Sequence, residues 1–304
     1  MVEKAVILAA GSASRMQRNL ERYVRDREEL DAIRTGEKMA ARFGKIPFLD
    51  YQILNLIKAG LTKINIVLKP EDRFFKDHYT DRGGVLFPEA SISFSFQEVP
   101  EGTAHAVLAA RDFVADSRFI VLNGDNNYPV RAVRMLLNAP DEHVAMVAFD
   151  VDGFNEETRK RLKSFALIRT RHGKLVDIIE KPDDPYRYRT SDLLFSDDNK
   201  RVKVENRRLL SMNLWCFDHN IIEACREVRR HESRKAGKAG KAGEYELPDA
   251  VGLLIKRGRE LLVYYTCSDV LDLTRAEDID VVGKRIKEDL GDRMKELASR
   301  YSRV

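Results

Sequence analysis

The sequence predicts an α/β fold, with a mostly parallel, mixed sheet flanked by helices. Three observations carry this expectation. Apolar runs of strand length alternate with segments of helical period. Their order is β-α-β-α, which calls for parallel strands covered on both faces. And 43% of the 304 residues are hydrophobic, enough to bury a sizeable core.

In chain order, Lys4–Ala10 reads as a strand, followed by the small-residue loop "GSASRM". Arg18–Arg34 reads as a helix with Leu20, Tyr23, Val24, Leu30 and Ile33 near one face. A helix over Pro47–Gly60, strands over Lys63–Lys69 and Ser91–Gln97, and a helix over Thr103–Val114 follow. Next come the strand Arg118–Gly124, the helix Pro129–Asn138 and the strand His143–Val151. The second half is less regular. Phe165–Arg169 and Leu175–Glu180 form a hairpin around "RHGK", Leu210–Phe217 is a strand, and Asn220–Arg230 is a helix. The tripeptide run Lys235–Gly243 reads as a mobile basic surface loop.

In Ile279–Tyr301, Val282, Ile286, Leu290, Met294 and Leu297 recur every three or four residues. That stripe packs on the chain's own core or meets a second copy, so a homo-oligomer stays open. No linker divides the chain. The expectation is a single domain over 1–304, with a nucleotide part near 1–130, a sugar part near 131–275 and a closing helix near 276–303.

Composition excludes several classes. Lys and Arg number 53 against 49 Asp and Glu, a net charge of +4 with no nucleic-acid footprint. The three cysteines form no CxxC pair, and the six histidines show no metal-ligand spacing. No apolar run approaches the roughly 18 residues of a membrane span. Ala5–Ala10 is too short for a signal-peptide core, so the cytoplasm is the expected compartment.

Three stretches carry chemistry. The first is the loop after strand one. It fails the GxGxxG fingerprint, because Ala13 and Met16 stand at the later glycine places, and it fails the Walker pattern. Yet Ala9, Ala10 and Gly11 let the backbone approach a ligand, and Ser12, Ala13 and Ser14 stay small. Their amides can face an anion at a helix start, with Arg15 as a positive fork. A tight turn with a surface arginine is the plain alternative. The second stretch is "QEVPEGTAHAV" (Gln97–Val107). Gln97 offers an amide for a base edge, Pro100 and Gly102 shape a turn, and Thr103 can cap the helix from Ala104. A simple strand–turn–helix link is the alternative. The third is "VLNGDNNYP" (Val121–Pro129), where Asp125 follows Gly124 at the ligand edge of the sheet. It is placed to hold Mg2+ against phosphates, or to cap the next helix.

Together these stretches resemble the sugar-1-phosphate nucleotidylyltransferases, or nucleotide-sugar pyrophosphorylases, of the glucose-1-phosphate uridylyl- and thymidylyltransferase kind. That family shows an LAAGxGxRM-like loop, a lysine, a QxxPxGTA turn, a GD strand end, an EKP, an aromatic strand and a late aspartate, in this order. "LAAGSASRM" matches except at Ala13, and "QEVPEGTAHA", "NGD" and "IIEKPDDP" match closely. The resemblance spans Lys4–Asp278 and implies a Rossmann-like fold of the nucleotide-diphospho-sugar transferase type. It implies that Ala9, Ala10, Gly11, Ser12, Gln97, Pro100, Gly102, Thr103 and Gly124 bind the nucleotide. Arg15, Lys38 and Lys181 would be catalytic, with Lys45 the rival for the loop lysine. Asp125 and Asp272 would bind Mg2+, with Asp269 the fallback for the second. On the sugar side the resemblance implies Glu180, Ala166, Asn213 and Trp215, the last two at the places of a glycine and a tyrosine.

The implied reaction is Mg2+-dependent transfer of a nucleotidyl group from a nucleoside triphosphate, UTP or dTTP favoured, to a sugar 1-phosphate, releasing pyrophosphate. Two alternatives stay open. One is a cytidylyltransferase for a non-sugar phosphate such as phosphocholine. The other is a non-catalytic protein that binds a nucleotide sugar.

Overall fold

The computed structural model describes residues 2–228 and 244–303, so the Lys235–Gly243 run lies outside the described residues. The chain divides into two compact units that interleave in sequence. The N-terminal unit comprises Glu3–Pro100, Leu122–Val130 and Val270–Val304. The middle unit comprises Met1–Val2, Glu101–Val121 and Arg131–Asp269. The expected contiguous parts near 1–130, 131–275 and 276–303 are thus redistributed, because the closing helices fold back onto the first unit.

In the N-terminal unit the strands Lys4–Leu8, Lys63–Leu68 and Ser91–Phe96 run parallel, with Lys63–Leu68 between the others. Ile64 to Leu68 are all buried, as expected of a parallel strand covered on both faces. Helix Phe48–Ala59 is largely apolar; of its polar residues Asp50, Gln52, Asn55 and Lys58, the first three are buried.

The expected Arg18–Arg34 helix is interrupted. A single 3-10 turn, Leu20–Arg22, precedes the helix Arg27–Thr35. The break falls at Asp26, whose carboxylate accepts from the Glu29 amide at 2.9 Å and caps the second piece. Leu20, Val24 and Ile33 bury against this unit as their spacing predicts. Likewise, Ile279–Tyr301 is two helices, Asp278–Asp289 and Gly291–Tyr301, parted at Leu290. The second returns to the core: Arg300 donates to Leu86 O at 2.7 Å and pairs with Glu89 at 2.8 Å.

Tyr301 reaches Asp50, a fully buried carboxylate that also accepts from Tyr79 Oη at 2.6 Å and lies 3.3 Å from His78 Nε2. Removing one donor leaves that carboxylate short of a partner. Tyr301→Phe is therefore expected to lower the unfolding free energy by about 1–3 kcal/mol. Denaturant titration measures it, and an unchanged midpoint would contradict the anchoring role.

The middle unit is sheet-rich and mixed. Leu209–Phe217 runs antiparallel to Val144–Asp150, to Ala166–Arg171 and to Phe119–Val121. Leu261–Thr266 lies parallel to Val144–Asp150. The expected hairpin is present as Ala166–Arg171 and Lys174–Ile179, turning at His172 and Gly173, both with positive φ. A second hairpin, Thr190–Phe195 with Arg201–Arg207, joins Leu261–Thr266 and was not expected from the sequence. The helix Thr103–Val114 divides at Ala110 into Thr103–Ala109 and Arg111–Val114. Mostly parallel pairing thus describes the N-terminal unit, while the chain as a whole is a mixed α/β protein. Among the described residues, no helix is long and apolar enough to cross a membrane.

Candidate active site

In the N-terminal unit, strand Lys4–Leu8 delivers Ala9 and Ala10, both buried, to an exposed bend at Gly11 and Ser12. The chain continues through turns rather than directly into a helix, so the expected helix start beneath the loop is absent. The amides of Met16 and Gln17 donate to Ala13 O at 2.8 and 3.1 Å. Those of Gly11, Ser12, Ser14 and Arg15 have no acceptor among the described residues. A β-carbon at Gly11 would meet nothing within 4 Å. The chain's own packing does not demand glycine there, and the open face suits the close approach of an anion to free amides. The Arg15 side chain is exposed, with no ion-pair partner among the described residues.

Behind this loop stands Gly124, whose amide donates to Leu8 O at 2.8 Å. A β-carbon there would lie 3.1 Å from Leu8 O and 3.4 Å from Ala9 Cβ, so glycine permits the close approach. Asp125 follows and forms an ion pair with Lys38. Lys38 is held by its neighbour: buried Glu37 accepts from the Phe74 and Phe75 amides at 3.2 and 3.0 Å, capping helix Phe74–Leu86. Lys45, the rival, sits at φ 70° in the exposed turn between the short strands Arg42–Phe43 and Ile46–Pro47.

Asp272 arrives on the strand Leu271–Asp272, which pairs antiparallel with Asn126–Asn127 so that Asp272 is opposite Asn126. The Leu273 amide donates to Asp125 O at 2.8 Å, and Thr274 Oγ1 donates to Asp272 Oδ1 at 2.8 Å. The charges of Asp125 and Asp272 both act on buried Tyr128, whose phenol pKa is raised first by burial and then by these two carboxylates. Gln97, at the end of strand Ser91–Phe96, is buried, while Pro100 is exposed. Asp269, the fallback for the second aspartate, belongs to the middle unit and lies 3.5 Å from Asn155 Nδ2.

In the middle unit, Gly102 takes φ 111° and ψ 176°, and a β-carbon there would fall 2.4 Å from Tyr245 O. Thr103, expected to cap the helix from Ala104, does not do so. Gly102 is the cap, and the Thr103 hydroxyl instead meets Glu246 and the Leu247 amide. Glu180 and Lys181 follow strand Lys174–Ile179 and line a cavity of about 520 Å³ with Glu246, Pro248 and Asp249. The surrounding protein raises the Glu180 carboxyl pKa above its usual value; Lys181 opposes this and Asp249 adds to it. Burial likewise raises Glu246, the Thr103 hydroxyl opposes, and Glu244 and Glu180 add to it.

Two expected sugar ligands do not reach this cavity. Trp215 is fully buried, stacked on Phe217 with ring centroids 5.4 Å apart, and is a core residue. Ala166 is buried at the strand pairing with Ser211. Asn213 is half-buried in a bulge at φ 55° and accepts from Trp215 Nε1 at 3.3 Å.

A family model described as nucleotidyl transferase matches residues 33–247, more than half of the chain. The chain belongs to the nucleotidyl transferase family. A UTP–glucose-1-phosphate uridylyltransferase of Haloferax volcanii is 24% identical over 94% of this chain and 97% of its own length. A low-salt glycan biosynthesis nucleotidyltransferase of the same organism is 23% identical over 94% of this chain and 66% of its own length. The bifunctional protein GlmU of Staphylococcus epidermidis is 23% identical, and its match takes in 54% of its length. Among solved structures, a UDP-glucose pyrophosphorylase complexed with UDP-glucose superposes with a TM-score of 0.66 at 16% identity, covering 95% of this chain and 99% of that one. A putative glucose-1-phosphate thymidylyltransferase from Bacillus anthracis gives 0.64 at 18% identity, covering 92% and 94%. These structures share the α/β fold with its mixed sheet.

In this nucleotidyltransferase the departures from the family loop acquire a physical meaning. Ala13 sits at φ 52°, and Asn213, also at a family glycine place, at φ 55°. Glycine adopts this region freely, asparagine tolerates it and alanine is strained there. Ala13→Gly relieves that strain but adds unfolded-chain entropy. The expected result is an unfolding free energy unchanged or raised by up to about 1 kcal/mol. Denaturant titration checks it, and a loss above about 1 kcal/mol would contradict the strain.

The supporting residues of this nucleotidyltransferase escaped the sequence reading. Gln52 Nε2 donates to Asn123 O at 2.9 Å, and Asn55 Nδ2 to Asn127 Oδ1 at 2.9 Å and Tyr128 O at 3.1 Å. Both brace the segment that carries Asp125. The available signal was their polarity, three residues apart in a largely apolar helix. Lys69 is a second omission. Its buried ammonium donates to Thr35 O and lies 3.1 Å from Asp72 Oδ1.

Proposed function

We propose that this nucleotidyltransferase transfers a nucleotidyl group from a nucleoside triphosphate, with UTP or dTTP favoured, to a sugar 1-phosphate in the presence of Mg2+, releasing pyrophosphate. The observation that carries the reading is the joining of Lys38, Asp125 and the strand bearing Asp272 beside the open Gly11 bend. The activity named for the Haloferax volcanii uridylyltransferase supports it.

The two carboxylates fit Mg2+. Among the described residues no three His, Cys, Asp or Glu side chains gather into a metal cage. Mg2+ characteristically takes one or two carboxylates and completes its shell with waters and substrate phosphates. Asp125 and Asp272 would hold it, and when bound it supplies charge neutralisation on the phosphates. The free amides of the Gly11 bend receive phosphate oxygens, with Arg15 as a cationic fork over them. Lys38, paired with Asp125 here, would turn its ammonium to the triphosphate.

Within the middle unit, Lys181 meets the acceptor phosphate and Glu180 accepts from acceptor hydroxyls. A phosphate oxygen of the acceptor attacks Pα in line, the Pα–O bond to the β-phosphate breaks, and pyrophosphate leaves with that electron pair. No protein nucleophile is needed; positioning and charge neutralisation supply the rate.

A grid of nucleoside triphosphates against sugar 1-phosphates, with and without Mg2+ and read by pyrophosphate release, tests this. Release is expected with a uridine or thymidine triphosphate and a sugar 1-phosphate, and only with Mg2+. Release with phosphocholine and CTP alone would overturn the acceptor class.

A further inference from the structure

Thr103 opens helix Thr103–Ala109, yet its hydroxyl serves another element. It donates to Glu246 Oε2 at 3.0 Å and accepts from the Leu247 amide at 2.8 Å. Around it the Tyr245 amide donates to Glu101 O at 2.7 Å, and the Ala104 amide to Tyr245 O at 2.9 Å. The turn Glu101–Thr103 and the segment Tyr245–Leu247 are thus one hydrogen-bonded piece. Glu246 occupies the N-cap of helix Leu247–Lys256 without capping it. A cap position usually spends its side chain on the helix amides. Here Thr103 satisfies the first amide, and the Glu246 carboxyl, which also meets the Glu244 side chain, lies at the wall of the cavity that also holds Glu180, Lys181 and Asp249.

Resting on the nucleotidyl-transfer reading, we propose that Thr103 is a positioning residue that fixes Glu246 at the acceptor cavity, and that Glu246 sets acceptor specificity. It receives hydroxyl or ammonium groups of the phosphorylated acceptor and turns away an acceptor that brings a carboxylate. An ionised carboxylate only accepts hydrogen bonds. A second carboxylate opposite it meets like charge without a proton between, and Glu180 and Asp249 carry the same sign. Repulsion of this kind is an effective way to separate otherwise similar ligands. Lys181 remains to answer the phosphate that all such acceptors share.

The test uses the full chain at one fixed pH throughout. Glucose 1-phosphate, glucosamine 1-phosphate and glucuronic acid 1-phosphate are compared by pyrophosphate release, using the best nucleoside triphosphate. Wild type, Glu246→Gln, Thr103→Val and Thr103→Ser are measured, with thermal midpoints alongside. The wild type is expected to use the first two acceptors and to disfavour the uronate by about 100-fold or more in kcat/KM. Glu246→Gln should narrow that gap to about tenfold or less. Thr103→Val should raise acceptor KM at least about fivefold while nucleotide KM moves less than about twofold, and Thr103→Ser should restore wild-type values. Comparable use of the uronate by wild type, an unchanged ratio in Glu246→Gln, or equal KM shifts in Thr103→Val would each overturn the proposal. No pyrophosphate from wild type with any of the three would overturn the underlying nucleotidyl-transfer reading, and this inference with it.

Discussion

Asp125→Ala is expected to lower Mg2+-dependent turnover by on the order of 1000-fold, with the fold retained. Removing one group aimed at the developing charge of a transition state costs about 2.7–4 kcal/mol. Asp125 combines two such roles: it would ligate the cation, and it pairs with Lys38. Unit charges 4 Å apart interact by about 4 kcal/mol at an effective dielectric of 20, so this carboxylate governs much of the local field. Stability should suffer far less. The Lys38 and Asp125 side chains keep 14% and 20% exposure, so solvent screens part of the pair and about 1 kcal/mol is at stake. Asp125→Asn keeps the shape and should lose as much rate. Adding Lys38→Met to Asp125→Ala removes the orphaned ammonium and should recover stability without recovering turnover, a double-mutant contrast read by denaturant titration and pyrophosphate release. A variant within threefold of wild-type rate would remove Asp125 from the reaction.

Gly102→Ala is expected to be strongly disruptive, both to stability and on the acceptor side. The new β-carbon would lie 2.4 Å from Tyr245 O, 2.8 Å from Tyr245 N and 2.9 Å from Tyr245 C. All three are backbone atoms, so no rotamer change relieves them. The backbone also sits at φ 111° and ψ 176°, a region open essentially to glycine alone. Strain of about 1–3 kcal/mol and overpacking of about 1–3 kcal/mol add to a loss of roughly 2–6 kcal/mol. The Tyr245–Leu247 segment must move, taking Glu246 with it. Acceptor KM should therefore rise even where the protein still folds, for instance at low temperature. Wild-type stability and acceptor KM in this variant would mean that the segment is not held by the turn.

What could be read in advance follows the range of the forces involved. The strands Lys4–Leu8 and Lys63–Leu68 were legible because burial on both faces leaves long apolar runs, and Ser91–Phe96 because serine alternates there with isoleucine and phenylalanine. The hairpin Thr190–Phe195 with Arg201–Arg207 was not, since most of Arg201–Arg207 is exposed and carries charges that mask its alternation. The helix break at Asp26 depends on a local side-chain cap, that at Leu290 has none, and both lay beneath a continuous apolar stripe. In the site, motif spacing singled out Asp125 and Lys38, and the two side chains meet across 87 residues. It could not tell that Trp215 points into the core, because an aromatic in a sheet suits either face. Nor could it show that the Thr103 hydroxyl serves residues 143 and 144 positions away. Contacts at that separation arise from topology, which composition and period do not encode. The division into units that interleave, rather than follow one another, escaped for the same reason.

The most direct measurement is a crystal structure of the protein with nucleoside triphosphate and Mn2+ as an anomalous stand-in for Mg2+. The account predicts an anomalous peak in coordination contact with carboxylate oxygens of both Asp125 and Asp272, and triphosphate oxygens on the amides of the Gly11 bend. A metal bound elsewhere, or a triphosphate that leaves those amides facing solvent, would contradict it.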